Sequence, residues 1–430
     1  MKIEKITLYA LGMMPLVESL NGAFQGYHVS DFYRSFLLIL ILMSLIQGYF
    51  YKQCLEMVLL CLLFIFLVLG CYTFLHGKSN FFFSDLKSIF RILLAPIYYA
   101  FFNVSILKRR LTRKDLFHLL TFFSILYSVL VIVPSIFGLG FATYDASGES
   151  FFTTLNEGVG SKGYFIEVNS LCAILMGNVV FTGESFLQKL RINGKQCLAS
   201  LECKIHFIGL WLNCISLLLL GTKTGLVFVV VYFCLFILRI LMNKKIAINL
   251  RVKILGLILA VLAVVHVFFY DDILEMLNGV FGRGKYFYDQ FEGNLITFIT
   301  SSRSVFLKNT LDVIVDSKVG CYLIIFGGGY TANLEHFWDP IRRVVTEMDW
   351  WDFFFSYGVI GLMGYVFFFR KSLINYRYTN KPIKYLLLLL FIYSVFAGHV
   401  LFNSMTATVL AVCLAYMSTA SYKVKGSEEL

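Results

Sequence analysis

Charge is what this sequence has least of. Only 15% of its 430 residues are Asp, Glu, Lys or Arg, against about 25% in a soluble domain. Other signatures are missing too. There is no nucleotide-binding glycine loop, no HExxH and no serine-nucleophile elbow, and no DxD cluster that would announce a nucleotide-sugar and metal site. The ten cysteines are scattered without metal-ligand spacing, so neither a metal site nor a disulfide framework is expected. No internal repeat and no low-complexity tract is visible.

What fills the sequence instead is apolar surface. Hydrophobic residues make up 59% of the chain, and the mean hydropathy is +0.77. Apolar runs recur along nearly the whole length. This describes an all-α polytopic membrane protein. The start, MKIEKITLYALGMMPLVESL, lacks a small-x-small cleavage site and is broken by Pro15 and Glu18, so it reads as a first span. Spans are expected near 6–24, 36–51, 55–74, 89–107, 116–137, 164–183, 205–221, 224–241, 254–271, 352–369, 385–401 and 403–421, twelve in all, with the last two also readable as one broken segment. They divide the chain into spans 1–9 (1–271), a long loop (272–350) and spans 10–12 (351–430).

The connecting loops orient these spans. One side, with LKRRLTRKD, the 184–204 loop, RILMNKKIAINLRVK, RKSLINYRYTNKPIK, Lys52 and both termini, carries 24 Lys and Arg. The other side carries 13, seven of them in the long loop. The positive-inside rule places both termini in the cytoplasm and the long loop outside. The net charge of +11 is then an orienting device, and nucleic-acid binding is not expected. Most cysteines fall in apolar runs or cytoplasmic loops; only Cys321 lies well inside the exterior loop. That loop carries helical signals. TSSRSVFLKNTLDVIV offers Ser301 or Ser302 as an N-cap, with Phe306, Thr310, Val313 and Ile314 on one face. GGGY marks a tight turn.

Polar residues gather on the exterior side. VVTEMDWWDFFFSYGVIG brings Glu347, Asp349 and Asp352 around Trp350 and Trp351, where the loop meets the tenth span. Arg91 lies early in the fourth span, Lys223 in the tight GTKTG connection, Arg303 at the start of the exterior helix, and Arg342 and Arg343 before the acids. His399 lies near the exterior end of the eleventh span. Cations there run against the positive-inside bias. Such cations suit a lipid-linked diphosphate, Arg through its fork of donors and Lys as a point charge. A carboxylate beside them suits a general base for an incoming hydroxyl.

Each residue also has a plainer reading. Lys223 and Arg91 can snorkel to the interface. Arg303 can cap its loop or pair with Asp312 or Asp316, and Arg342 and Arg343 can pair with the acids. Glu347, Asp349 or Asp352 can be helix-start residues favoured by the dipole. His399 can be a packing histidine. Glu167, at the edge of the sixth span, needs a partner or a cavity. Gly398 allows close helix packing.

Several segments, in order, resemble the Wzy-type polysaccharide polymerases, relatives of the O-antigen ligases. They are PLVESLNG with HVSDFYR, GSKGYFIEVNSLCAILM, LLLGTKTGLV, TSSRSVFLKN and FGGGYTANLEHFWDPIRRVVTEMDWWDFFFSYGVIGLMGYVFFF. The resemblance implies a GT-C-like glycosyltransferase fold. It implies en bloc transfer of a glycan from undecaprenyl diphosphate, the carrier of both donor and acceptor, with no cofactor and no metal. A chain-length regulator and a flippase are implied partners, beside membrane lipid. Carried over by position, Lys223 and Arg303, with Arg91 and Arg342, bind the diphosphate. Glu347 is the first choice as base or acceptor-orienting residue and Asp349 the second; Asn169 and His399 line the cleft. His336 is the only loop histidine, and its surroundings do not match the acceptor histidine of the ligases. GTKTG has Lys where many relatives have Arg. The alternatives are a ligase, a flippase or transporter of lipid-linked oligosaccharide, and a structural membrane partner. A flippase should show midplane charges and repeated halves.

Overall fold

The computed structural model describes residues 3–46, 52–73, 82–144, 159–244, 246–290, 294–330 and 346–420. These residues are almost entirely helical. One two-stranded antiparallel ribbon, β1 (Ala142–Tyr144) on β2 (Val159–Ser161), is an addition to the all-α expectation.

Eight helices are long and apolar enough to cross a membrane among the described residues. They are α3 (Val29–Ile46), α4 (Lys52–Cys71), α5 (Phe82–Leu107), α6 (Arg113–Ile136), α7 (Val168–Asn193), α8 (Leu201–Leu220), α9 (Lys223–Met242) and α14 (Asp349–Phe368). The chain is therefore a polytopic helical membrane protein. The first expected span is two helices, α1 (Ile3–Gly12) and α2 (Met14–Ala23), divided at Met13. Pro15, in the first turn of α2, has no N–H to continue α1. The expected boundary at 271 falls inside a single 43-residue helix, α10 (Ile248–Gln290). At about 1.5 Å per residue it is roughly twice as long as a bilayer core is thick. The last two expected spans are α15 (Lys381–Phe396) and α16 (Ser404–Ser418), shorter than drawn and joined by a non-helical loop, 397–403.

At the centre stands α7, every residue of its apolar window buried. Its sequence explains this place. Small residues let neighbours close in: a Cβ on Gly177 would sit 2.4 Å from Leu386 of α15, and one on Gly183 would sit 2.2 Å from Tyr232 of α9. The N-terminus of α7 is thus held in the middle of one end of the bundle. Asn213 of α8 donates to the Ser124 carbonyl of α6 at 2.8 Å, tying that side together.

The segment after α10 contains α11 (Leu295–Ile299), α12 (Arg303–Asp316) and α13 (Gly320–Phe326). In α12, Thr310 and Ile314 are buried and Phe306 and Val313 half-buried, the face expected from the sequence. Ser302 takes the cap position but makes no side-chain cap bond. After α13 the chain turns into a break in α14. Gly358 interrupts that helix with φ 65° and ψ −173°. The carbonyls of Phe355 and Ser356, near that break, accept from the N–H groups of Gly328 and Gly329, each at 3.0 Å. Only glycines fit: a Cβ on Gly327 or Gly358 would lie 2.3 Å from a facing carbonyl oxygen. Irregular backbone inside a membrane bundle survives when protein satisfies it. The FGGG turn does that for the YGVIG helix, so two distant sequence motifs meet.

One disulfide, Cys197–Cys203, closes the turn between α7 and α8. The cysteine spacing did not single it out. A six-residue separation across a turn brings the two Cα atoms to 5.7 Å.

Candidate functional site

The three acids at the start of α14 have three different fates. Asp352 receives the Thr346 N–H at 2.7 Å and the Thr346 hydroxyl at 2.8 Å, which fixes the entry to the helix. Asp349 is 2% exposed. Its Oδ1 accepts from the His399 N–H at 2.7 Å, and its Oδ2 from those of Val400 and Leu401 at 2.6 and 2.9 Å. Asp349 thus satisfies three consecutive N–H groups of the 397–403 loop. Three N–H donors fill most of the carboxylate's roughly four acceptor positions, so its geometry is that of an anchor. Glu347 has φ 56° and lies half-buried, with its Oε2 3.2 Å from Arg303.

Arg303 is the first residue of α12 and follows two left-handed serines, Ser301 and Ser302. Its partner is Glu347, not Asp312 or Asp316. The guanidinium is mostly enclosed, and its Nε is buried without a hydrogen-bond partner among the described residues. Lys223 is likewise the first residue of its helix, α9. It lies over the Phe298 ring of α11, 4.5 Å from the centroid. Neither helix has an acid in its first turn. A cation at a helix N-terminus opposes the macrodipole. The pairing of positive side chains with positive helix ends concentrates positive potential, which favours an anionic ligand.

His399 is carried by a strained, pinned backbone with φ 63°. Its carbonyl receives the Ser170 hydroxyl at 2.8 Å, and Gly398 before it packs so closely that a Cβ would lie 2.4 Å from the Glu347 carbonyl oxygen. The imidazole Nδ1 lies 3.9 Å from Glu167, the cap residue of α7. Asn169 follows in the first turn of α7, half-buried. Cys172, one turn further, touches the Thr222 hydroxyl at 3.3 Å. This links the α7 end to the GTKTG connection.

The structure therefore joins Arg303, Glu347, Asp349 and His399 through direct contacts, with Asn169 alongside and Lys223 linked through Phe298 and Thr222. Arg91 is exposed on α5 and stands apart from that chain of contacts. It acts instead on Tyr330: burial holds that phenol above its ordinary range, Asp352 adds to the effect, and Arg91 opposes it. Arg342, Arg343 and His336 lie outside the described residues.

Residues not singled out in the sequence also appear at this end. Arg34 of α3 binds Glu18 of α2 at 2.7 Å, and the Ser404 hydroxyl of α16 donates to the same carboxylate oxygen at 3.0 Å. The signal was available: a carboxylate inside an apolar helix is costly and needs a partner. Beneath the 397–403 loop an apolar cavity of about 300 Å³ runs between α14, α15 and α16. Trp350, Val400 and Leu401 bound it near the loop, and Leu373 and Tyr376 bound it towards the opposite end.

No protein-family model matches the chain, and no curated protein sequence matches it.

Proposed function

We propose that this chain is a glycosyltransferase that polymerises lipid-linked oligosaccharide repeat units on the exterior face of the bacterial cytoplasmic membrane. The donor glycan passes en bloc from undecaprenyl diphosphate to the end of another lipid-linked unit. The reading takes a GT-C-like bundle of twelve spans with both termini in the cytoplasm. Counting α1 with α2 as one, and α10, α15 and α16 beside the eight, gives that number.

The observation that carries the reading is one cluster at the end of the bundle opposite the basic loops. It combines Arg303 and Lys223 on helix N-termini, the strained carboxylate Glu347, and His399. Arg303 and Lys223 bind the diphosphate and stabilise it as it leaves the sugar. Glu347 sets the Arg303 guanidinium. Asn169 and His399 line the cleft, and Arg91 extends it on the α5 side. The apolar cavity that begins at Trp350 and Leu401 suits the polyprenyl chain of the same donor, since both meet at the loop. The reaction needs neither metal nor nucleotide. A chain-length regulator and a flippase fit as partners.

The test compares surface glycan from a deletion host complemented with the wild type, Arg303→Ala or Glu347→Ala, with membrane abundance checked. Single repeats in the deletion host, and in both variants at normal abundance, support the reading. Loss of every surface repeat in the deletion host points to a flippase or ligase. Long polymer with either substitution removes that residue from the site.

A further inference from the structure

We infer that His399 and Glu167 form the acid–base pair that takes the proton from the acceptor hydroxyl; this rests on the transferase reading above. Three observations lead there. The first is elimination among the acids. Asp349 is committed to three backbone N–H groups, Asp352 to Thr346, and Glu347 faces Arg303. The Glu347 carboxylate is thus engaged by a guanidinium.

The second is the way His399 is held. Its N–H is tied to α14 through Asp349, and its carbonyl to α7 through Ser170. Gly398 is wedged against the Glu347 backbone. The residue itself sits at φ 63°, a conformation that a side chain with a Cβ adopts at a cost. A packing histidine requires none of this. Strain held by contacts from two helices is what fixes a reacting group in place.

The third is the imidazole's surroundings. The side chain is 39% exposed and makes no hydrogen bond to a described residue. Its Nδ1 faces the Glu167 carboxylate at 3.9 Å. Glu167 caps α7 by position, but its side chain makes no cap bond, so the carboxylate is not spent on the helix. At 3.9 Å the carboxylate is not hydrogen-bonded to Nδ1, and a small approach would place the Nδ1 proton on that side and leave Nε2 as the acceptor.

The step balances simply. The acceptor hydroxyl oxygen forms a bond to the donor's anomeric carbon. The bond from that carbon to the diphosphate oxygen breaks, and its electron pair leaves with the undecaprenyl diphosphate. The hydroxyl proton goes to Nε2 of His399. His399 is the catalytic residue and Glu167 positions and tunes it. The charged groups that reach the imidazole are Glu167 from α7 and Asp349 from α14.

The experiment measures chain growth in membranes of a host that depends on this chain, using the host's own lipid-linked repeat unit. His399→Gln is expected to slow growth about 100-fold or more, as loss of a general base does. Glu167→Gln is expected to slow it less and to leave the half-saturating donor level unchanged. Glu167→Asp is expected to restore most of the rate. Wild-type growth with His399→Gln overturns the pair. If His399→Gln does not reach the membrane, Glu167 decides: an unchanged rate in Glu167→Gln overturns it. A deletion host that still builds long polymer sinks the polymerase reading itself, and that outcome is independent of His399.

Discussion

The two ends of the bundle are built from the same residue types and differ in what the backbone does. At the basic end, carboxylates join helices to cations: Glu4 to Arg110, Glu184 to Arg239, Glu56 to Arg370 and Glu202 to Lys189. The connections there are ordinary. The Thr112–Asp115 capping box starts α6 in the regular way. At the opposite end the backbone is strained. Of the six non-glycine residues with positive φ among those described, His28, Ser301, Ser302, Glu347 and His399 lie at this end, and only Arg109 at the other. Ion pairs alone do not distinguish a site from a helix fastening. Ion pairs carried on strained, cross-braced backbone do.

Substitutions can break or sharpen that contrast. The largest effect is expected from Arg303→Ala, with chain growth lowered about 100-fold or more, as when a preorganised charge is removed from a leaving group. Arg370→Ala at the basic end is expected to leave chain growth close to wild type, and comparable losses from both would erase the distinction. Next comes Gly358→Ala. A Cβ there meets the Ile325 carbonyl at 2.3 Å and must also adopt φ 65°. A loss of about 2–3 kcal/mol is expected, read as a lower melting temperature of the detergent-purified protein. A variant that melts like wild type would show that the 327–329 turn does not need the break in α14.

Asp349→Asn follows, at about 1–3 kcal/mol. An amide has one acceptor oxygen for three N–H groups, so a buried donor is left unsatisfied. The 397–403 loop should then show faster amide exchange than the rest of the bundle. The smallest effect is expected for Lys189→Ala. Its partner Glu202 is 69% exposed, and such pairs contribute under about 1 kcal/mol. A large loss of thermal stability there would mean that the basic end is not merely fastened.

Much of the architecture was legible because it is written locally. Apolar runs marked the helices, and the helices stand where those runs were. The glycine turn and α12 were readable from GGGY and from the spacing of Thr310 and Ile314. The lengths of the last spans were not. The 397–403 loop, with Gly398 and His399 both at φ 63°, gives three consecutive N–H groups to Asp349, some fifty residues earlier, rather than to a helix. The length of α10 was hidden for a similar reason, because helical pattern does not stop where hydropathy does.

The sequence by itself determined a membrane bundle, a basic end, and an opposite end enriched in isolated cations and acids. Those follow from composition and from charge placed along the chain, which act residue by residue. Only the tertiary structure decided which acid serves which purpose. Asp349 anchors a loop, Glu347 meets Arg303 from a separate helix, and Glu167 meets His399 across more than two hundred residues. Hydrogen bonds and ion pairs act over a few ångströms in space, and spacing along the chain does not encode that distance.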